Sequence, residues 1–156
     1  MPKTDRSQSA NSPLRDEDGG SITSPALIRR SRVIAEAVFT TDAGPPPPER
    51  LDWLALDLED YFARSGALTR FIFGLAVLAV WLLAPLVVFR LTSLARMSLG
   101  ERIFALTSLE SGRAGGAILA VKALLCVMYY EHPEAAEQIG FDGLCLTEAR
   151  ERGLAP

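Results

Sequence analysis

Few residues in this chain of 156 could carry chemistry. It contains one histidine, His132, so a reaction that needs an imidazole base would have to use it. Its position directly before Pro133 favours a helix-capping role instead. Cys126, His132 and Cys145 could supply three soft ligands to a metal, but they lack a paired C-x-x-C and match no zinc-site spacing. The sequence therefore predicts no catalytic, cofactor-binding or metal site.

The length, charge and motifs of the chain argue against several classes of enzyme and against nucleic-acid-binding proteins. The chain is long enough for one domain of ordinary size, not for a cofactor domain plus a substrate domain. No G-x-S-x-G elbow, Walker loop or G-x-G-x-x-G occurs. With 16 basic and 19 acidic residues the net charge is -3. A broad cationic surface is absent, and nucleic-acid binding is not expected.

The most apolar part of the chain is the segment 71–89, FIFGLAVLAVWLLAPLVVF. It has no charged residue, and Arg70 and Arg90 bracket it. Nineteen helical residues reach nearly the thickness of a bilayer core. Trp81 near the middle and Pro85 near the end weaken a spanning interpretation, since Trp prefers the interface and Pro costs a hydrogen bond. Two alternatives stay open: a membrane-spanning helix, or a helix buried in this protein or in a groove of a partner.

Composition divides the rest of the chain. The polar residues 1–25 are expected to be a disordered tail, followed by an amphipathic helix at 26–43 and a proline spacer at 44–48. Residues 49–146 form the predicted helical domain, and residues 147–156 a C-terminal tail. The start of the chain lacks the apolar core of a signal peptide, so we expect none. Because of the apolar segment 71–89 we expect the chain to associate with a membrane, the cytoplasmic membrane.

Two helices follow the apolar segment. Ser98 and Glu101 form an S-x-x-E capping box, which predicts a helix start. A second apolar helix at 117–130 is too short to span a membrane and is broken only by Lys122. A buried ammonium there would need an acceptor from another segment or another chain. Lys122 is therefore a clue to an interface.

This order of elements resembles a known family. Residues 96–112, RMSLGERIFALTSLESG, and 120–146, AVKALLCVMYYEHPEAAEQIGFDGLCL, are similar to the helical stretch before the flavin domain in the long-chain alcohol oxidase branch of the glucose-methanol-choline oxidoreductases. Upstream, RVIAEAVFTTDAGPPPP resembles the family's early helix and proline-rich break. The resemblance rests on Glu101-Arg102, Lys122, Tyr129, Tyr130 and Ile139-Gly140-Phe141.

In that family the helical stretch leads into the flavin-binding domain, whereas this sequence stops at Pro156. The resemblance therefore implies an all-α accessory or membrane-anchoring subunit, itself without a cofactor, whose partner is a separate FAD-binding chain that oxidises lipophilic alcohols. The residues expected at the partner interface are Lys122, Tyr129, Tyr130, His132, Phe141 and Asp142. The alternative is a single-span membrane adaptor with no enzyme partner.

Overall fold

The structure is a computed structural model that describes residues 24–112 and 114–140. Over these residues the chain is all-α, as predicted, and contains no β-strand. One 3-10 turn, Leu94–Arg96, precedes the fourth helix. The six α-helices are α1 (Pro25–Val38), α2 (Pro48–Arg64), α3 (Ala67–Val87), α4 (Leu99–Glu110), α5 (Gly115–Tyr129) and α6 (Pro133–Gln138).

Prolines mark the first residue of three of these helices. Pro25, Pro48 and Pro133 each occupy the first turn, where the missing amide would have had no partner and the fixed φ already suits a helix. The predicted proline spacer therefore contributes its last residue to α2. The predicted first helix ends earlier than residue 43, because α1 stops at Val38 and the chain turns through a bridge between Thr41 and Gly44, whose φ is 116°.

Helix α3 includes most of the apolar segment but is shifted toward the N-terminus. It starts at Ala67, directly after Gly66, and runs through Arg70 before the uncharged stretch begins. Pro85 lies inside the helix, close to its end, and has no amide to donate to the Trp81 carbonyl four residues earlier. The helix stops in a Schellman arrangement: the Arg90 amide donates to the Pro85 carbonyl at 2.9 Å and the Phe89 amide to the Leu86 carbonyl at 3.0 Å.

The predicted capping box at the start of α4 is confirmed. The Ser98 hydroxyl accepts from the Glu101 amide, while the Glu101 carboxylate accepts from the Ser98 amide at 3.0 Å. Two orphan amides of the first turn are thereby satisfied. Helix α5 follows, and α6 begins with His132 at the cap position; its side chain makes no capping hydrogen bond.

The core lies where α1, α3, α4 and α5 meet, with α2 packed mainly on α1 and α5. Each helix contributes apolar side chains at helical spacing. Removing each large side chain from water stabilises the fold by about 1.5–3 kcal/mol. The largest fully buried apolar side chains are Phe62, Ile34, Leu54, Leu58, Leu94, Ile118, Leu125, Val77, Val80 and Val121. Helix α2 contributes Leu51, Leu54, Leu58 and Phe62 to this core, all from one face of the helix.

Most of the two predicted tails lies outside the described residues. Of the expected disordered tail at 1–25, only Ser24 and Pro25 are described, and they cap and begin α1. The tail predicted at 147–156, and residues 141–146 of the predicted helical domain, are likewise outside the described part.

Candidate functional site

Helix α3 carries a broad surface of exposed apolar side chains. One side of the helix packs into the core through Phe73, Val77, Val80 and Ala84. The rest of its circumference meets solvent. The surface, which we call the α3 apolar face, consists of Leu68, Phe71, Ile72, Leu75, Leu78, Leu82, Leu83, Leu86 and Val87.

The exposure of α3 separates it from an ordinary core helix. It is the one helix among the described residues that is long and apolar enough to cross a membrane. A central helix of a soluble domain is mostly buried, but only 28% of the most apolar stretch of α3 is buried within this fold. Soluble monomers rarely expose a large contiguous apolar patch, and such patches mark lipid or protein contacts. The α3 apolar face is therefore the candidate contact surface of this fold.

The C-terminal end of α3 extends this surface. Phe89 and Leu91 are 96% and 98% exposed, directly after the helix. Phe89 has φ 53°, a left-handed conformation that glycine usually adopts at this position of a helix end. A phenylalanine in this conformation carries backbone strain and gains nothing from packing within the chain. Both features point to a contact outside it.

A second feature is a buried arginine cluster between α2, α5 and α6. Arg50 is 5% exposed. Its Nη1 donates to the Tyr129 hydroxyl at 3.4 Å and to Gln138 Oε1 at 3.0 Å, and its Nη2 donates to Glu134 Oε2 at 3.0 Å. The guanidinium carbon also lies 5.8 Å from the centre of the Tyr129 ring. These bonds attach α6 to the body of the fold, since a planar five-donor guanidinium can satisfy several acceptors at once.

The surroundings of Arg50 favour its charged form. Its pKa is raised above the ordinary value, chiefly by the hydrogen bond to Tyr129; burial acts in the opposite direction, and Glu134 raises the pKa further. Tyr129 in turn stacks on Phe39, with ring centres 3.8 Å apart and planes 8° apart. Arg50 is thus held as a structural cation between helices.

The residues predicted for a partner interface occupy different environments. Lys122 pairs with Glu110 of α4 at 2.8 Å, so its acceptor comes from the same chain. Tyr129 is 3% exposed and belongs to the arginine cluster. Tyr130 is half-buried and packs edge-on against Phe39 and Tyr129. Phe141 and Asp142 lie outside the described residues.

His132 lies at the edge of the arginine cluster. Its ring meets Trp53 of α2 edge-to-face, with centres 5.0 Å apart. Its Nδ1 is buried and has no hydrogen-bond partner among the described residues. A small polar cleft of about 330 Å³ opens here between Pro47, Glu49, Arg50, His132 and Glu134. Around this cleft Glu49 and Glu134 are exposed and His132 is half-buried.

The cysteine environment is apolar. Burial raises the pKa of the Cys126 thiol, with the nearby Lys122 acting in the opposite direction, so the neutral thiol is favoured. Cys145, the other cysteine, is outside the described residues. Within the described residues no group of three or more His, Cys, Asp or Glu is arranged to hold a metal ion.

Sequence reasoning missed the buried arginines. Arg102, on α4, donates to Glu36 of α1 at 2.7 Å and to the Val33 carbonyl at 3.3 Å. A signal existed in the register: Arg50 lies four residues before Leu54, and Arg102 four residues before Leu106, which places both on the apolar faces of their helices. An arginine in such a register is a candidate for a buried interhelical bond.

Comparison of the chain with family models, with curated proteins and with solved structures finds no match.

Proposed function

We propose that this chain is a non-catalytic helical subunit that attaches an enzyme partner to a membrane. The observation that carries the proposal is the α3 apolar face, an uninterrupted hydrocarbon surface on a helix of 21 residues. Each of its leucines has roughly half its side chain left to remove from water, which favours contact with lipid or with an apolar protein surface by about 1 kcal/mol apiece. Lipid is the occupant that requires no matching shape.

The partner half of the proposal rests on the family resemblance. The proposed partner is a flavin-binding chain that oxidises lipophilic alcohols and holds the FAD entirely by itself. A membrane-attached subunit suits such a substrate, because long-chain or sterol-like alcohols concentrate in lipid. Tyr130 packs against Phe39 and His132 against Trp53, and these two half-buried residues supply an aromatic and polar surface for the partner.

Membrane attachment is tested with the double variant Leu75→Gln, Leu82→Gln. Both side chains are more than half exposed in the folded chain, at 56% and 57%. The variant should keep its helicity and its unfolding midpoint while its binding to vesicles falls by at least tenfold, as loss of about 2 kcal/mol of hydrocarbon transfer requires. Leu56→Gln is the matched control, since Leu56 is 67% exposed but belongs to α2. Equal binding by all three chains would refute attachment through α3.

The flavoprotein partner is tested separately. The full chain, expressed in its own host and extracted in mild detergent, should co-elute with a second chain that releases flavin on denaturation. Tyr130→Ala should reduce that co-elution, and the variant with substituted leucines should not. Membrane binding without any flavin-bearing partner would leave the adaptor interpretation standing and refute the oxidoreductase subunit.

A further inference from the structure

A groove between α1 and α3 runs beside the α3 apolar face. It has a volume of about 520 Å³. Its apolar lining includes Leu27, Phe71, Leu75 and Leu78, and the polar side chains Arg30 and Arg70 also line it. Among the described residues no acidic side chain lines it. The groove thus combines a hydrocarbon floor with two cations, a chemistry that fits an anionic amphiphile.

Both arginines have donors to spare. The six ion pairs of the described residues involve Arg32, Arg50, Arg64, Arg90, Arg102 and Lys122, which leaves Arg29, Arg30, Arg70 and Arg96 without a carboxylate within 4.0 Å in that part of the chain. Arg70 uses one N–H on the Phe62 carbonyl at 2.9 Å. Arg30 lies over the Trp81 ring at 5.6 Å. Four of the five guanidinium donors of Arg70 remain for a ligand.

The position of Arg30 bears on how α3 meets a membrane. Its guanidinium carbon lies 5.6 Å from the centre of the Trp81 ring, near the middle of the apolar segment 71–89. If α3 crossed a bilayer with this fold intact, the Arg30 guanidinium would lie near the hydrocarbon midplane, where a charge is strongly disfavoured. If α3 lies along the membrane surface, the same guanidinium lies at the depth of the lipid phosphates, where it is attracted.

The acidic side chains are compatible with that second arrangement. On α2, Glu49, Asp52, Glu59 and Asp60 are exposed and Asp57 is half-buried. Helix α2 packs mainly on α1 and α5 and meets α3 at the Phe62–Phe73 contact. The chain therefore separates an acidic helix from a surface that is apolar with arginines beside it. Such a separation orients a protein on an anionic surface.

We infer that α3 lies in the plane of the membrane surface and that the groove between α1 and α3 binds an anionic phospholipid, with its phosphate on Arg30 and Arg70 and its acyl chain along Phe71, Leu75 and Leu78. This inference rests on the proposed membrane attachment. It adds the orientation of the helix, the class of lipid and the residues that select it.

Lipid selection is tested with vesicles of phosphatidylcholine and of a phosphatidylcholine–phosphatidylglycerol mixture. The unmodified chain should bind the mixture more tightly, with an advantage that shrinks as salt rises. Arg30→Gln, Arg70→Gln together should weaken binding to the mixture about thirtyfold and leave binding to phosphatidylcholine unchanged. Arg30→Gln alone covers the case in which the Arg70 change disturbs the Phe62 bond. Arg64→Gln on α2 is the control; an equal loss there, or no loss in the double variant, would overturn lipid selection.

Orientation is tested by labelling two sites in one molecule. Thr69→Cys and Ser93→Cys place exposed thiols at the two ends of α3, in a chain whose Cys126 and Cys145 are replaced by alanine. After reconstitution into sealed vesicles, a membrane-impermeant maleimide should give doubly labelled and unlabelled molecules, because both ends lie on one side. Singly labelled molecules would show a spanning helix and overturn the in-plane arrangement while leaving attachment intact. Failure to bind any vesicle would refute the proposed attachment itself.

Discussion

Replacing Phe89 by glycine should raise the stability of the free chain and weaken its hold on a membrane. The residue has φ 53° and its side chain is 96% exposed. The left-handed conformation costs a non-glycine residue about 1–2 kcal/mol, and the greater freedom of an unfolded glycine offsets about 0.5–1 kcal/mol of the relief. The free energy of unfolding should therefore rise by about 0.5–1 kcal/mol, as measured by urea denaturation without lipid.

The effect on membrane binding has the opposite sign. Burying a phenyl side chain in hydrocarbon is worth about 1.5–3 kcal/mol, and nearly all of this one is still in water. Its removal should lower the vesicle partition coefficient about ten- to a hundredfold in a sedimentation assay. Leu56→Ala, at an exposed position of α2, should leave the coefficient unchanged. Unchanged binding by Phe89→Gly would show that the strained residue does not serve the membrane surface.

Three further predictions concern the interior and the helix ends. Arg50→Met should lower the free energy of unfolding by about 1.5–3 kcal/mol in urea denaturation, because it removes charge-assisted bonds to α5 and α6. The pKa of Glu101 is lowered, first through its bond with the Ser98 amide. The capping box therefore contributes its full stability above the ordinary pKa of about 4.3, and this contribution is lost as the pH falls through the lower pKa of the folded chain. Glu101→Gln should reduce this pH dependence in thermal unfolding. Gly115→Ala should destabilise, since the new Cβ would lie 2.5 Å from the Glu110 carbonyl oxygen, whereas Gly116→Ala, with nothing within 4 Å, should stabilise by about 0.5–1 kcal/mol in the same assay.

Local patterns account for much of what the sequence predicted about the fold. The capping box Ser98–Glu101 and Pro133 at the start of α6 act through bonds and dihedral angles within one turn, so they can be predicted without knowing the tertiary structure. The apolar stripe of α2 is likewise a local pattern. The end of α1 was harder to predict, because nothing in residues 39–43 forbids a helix and the turn depends on the Thr41–Gly44 bridge.

Long-range contacts decided what the sequence could not show. The bonds from Arg50 reach residues 79 to 88 positions away, and Arg102 meets Glu36 across 66 positions. Tyr129 was predicted at a partner interface but is buried by Phe39 and Arg50 from the same chain. Periodicity tells which side of a helix is apolar, and it does not tell which helix covers it.

For the apolar segment 71–89, too, the sequence did not tell which neighbouring helices cover it. Its composition alone leaves both a spanning helix and a buried helix open. The fold adds two observations that composition does not contain: part of α3 is left uncovered, and Arg30 of α1 lies beside its middle. Composition thus located the surface, and tertiary packing showed how much of it stays exposed.

The central claim, that the α3 apolar face contacts lipid hydrocarbon, is tested most directly by site-directed spin labelling. Nitroxides attached at Leu75, Leu82 and Leu56 all start from exposed positions. On addition of vesicles, the labels at Leu75 and Leu82 should become more accessible to oxygen and less accessible to a water-soluble nickel complex, while the label at Leu56 on α2 stays in water. Labels at Leu75 and Leu82 that remain as accessible to the nickel complex as the label at Leu56 would contradict the account.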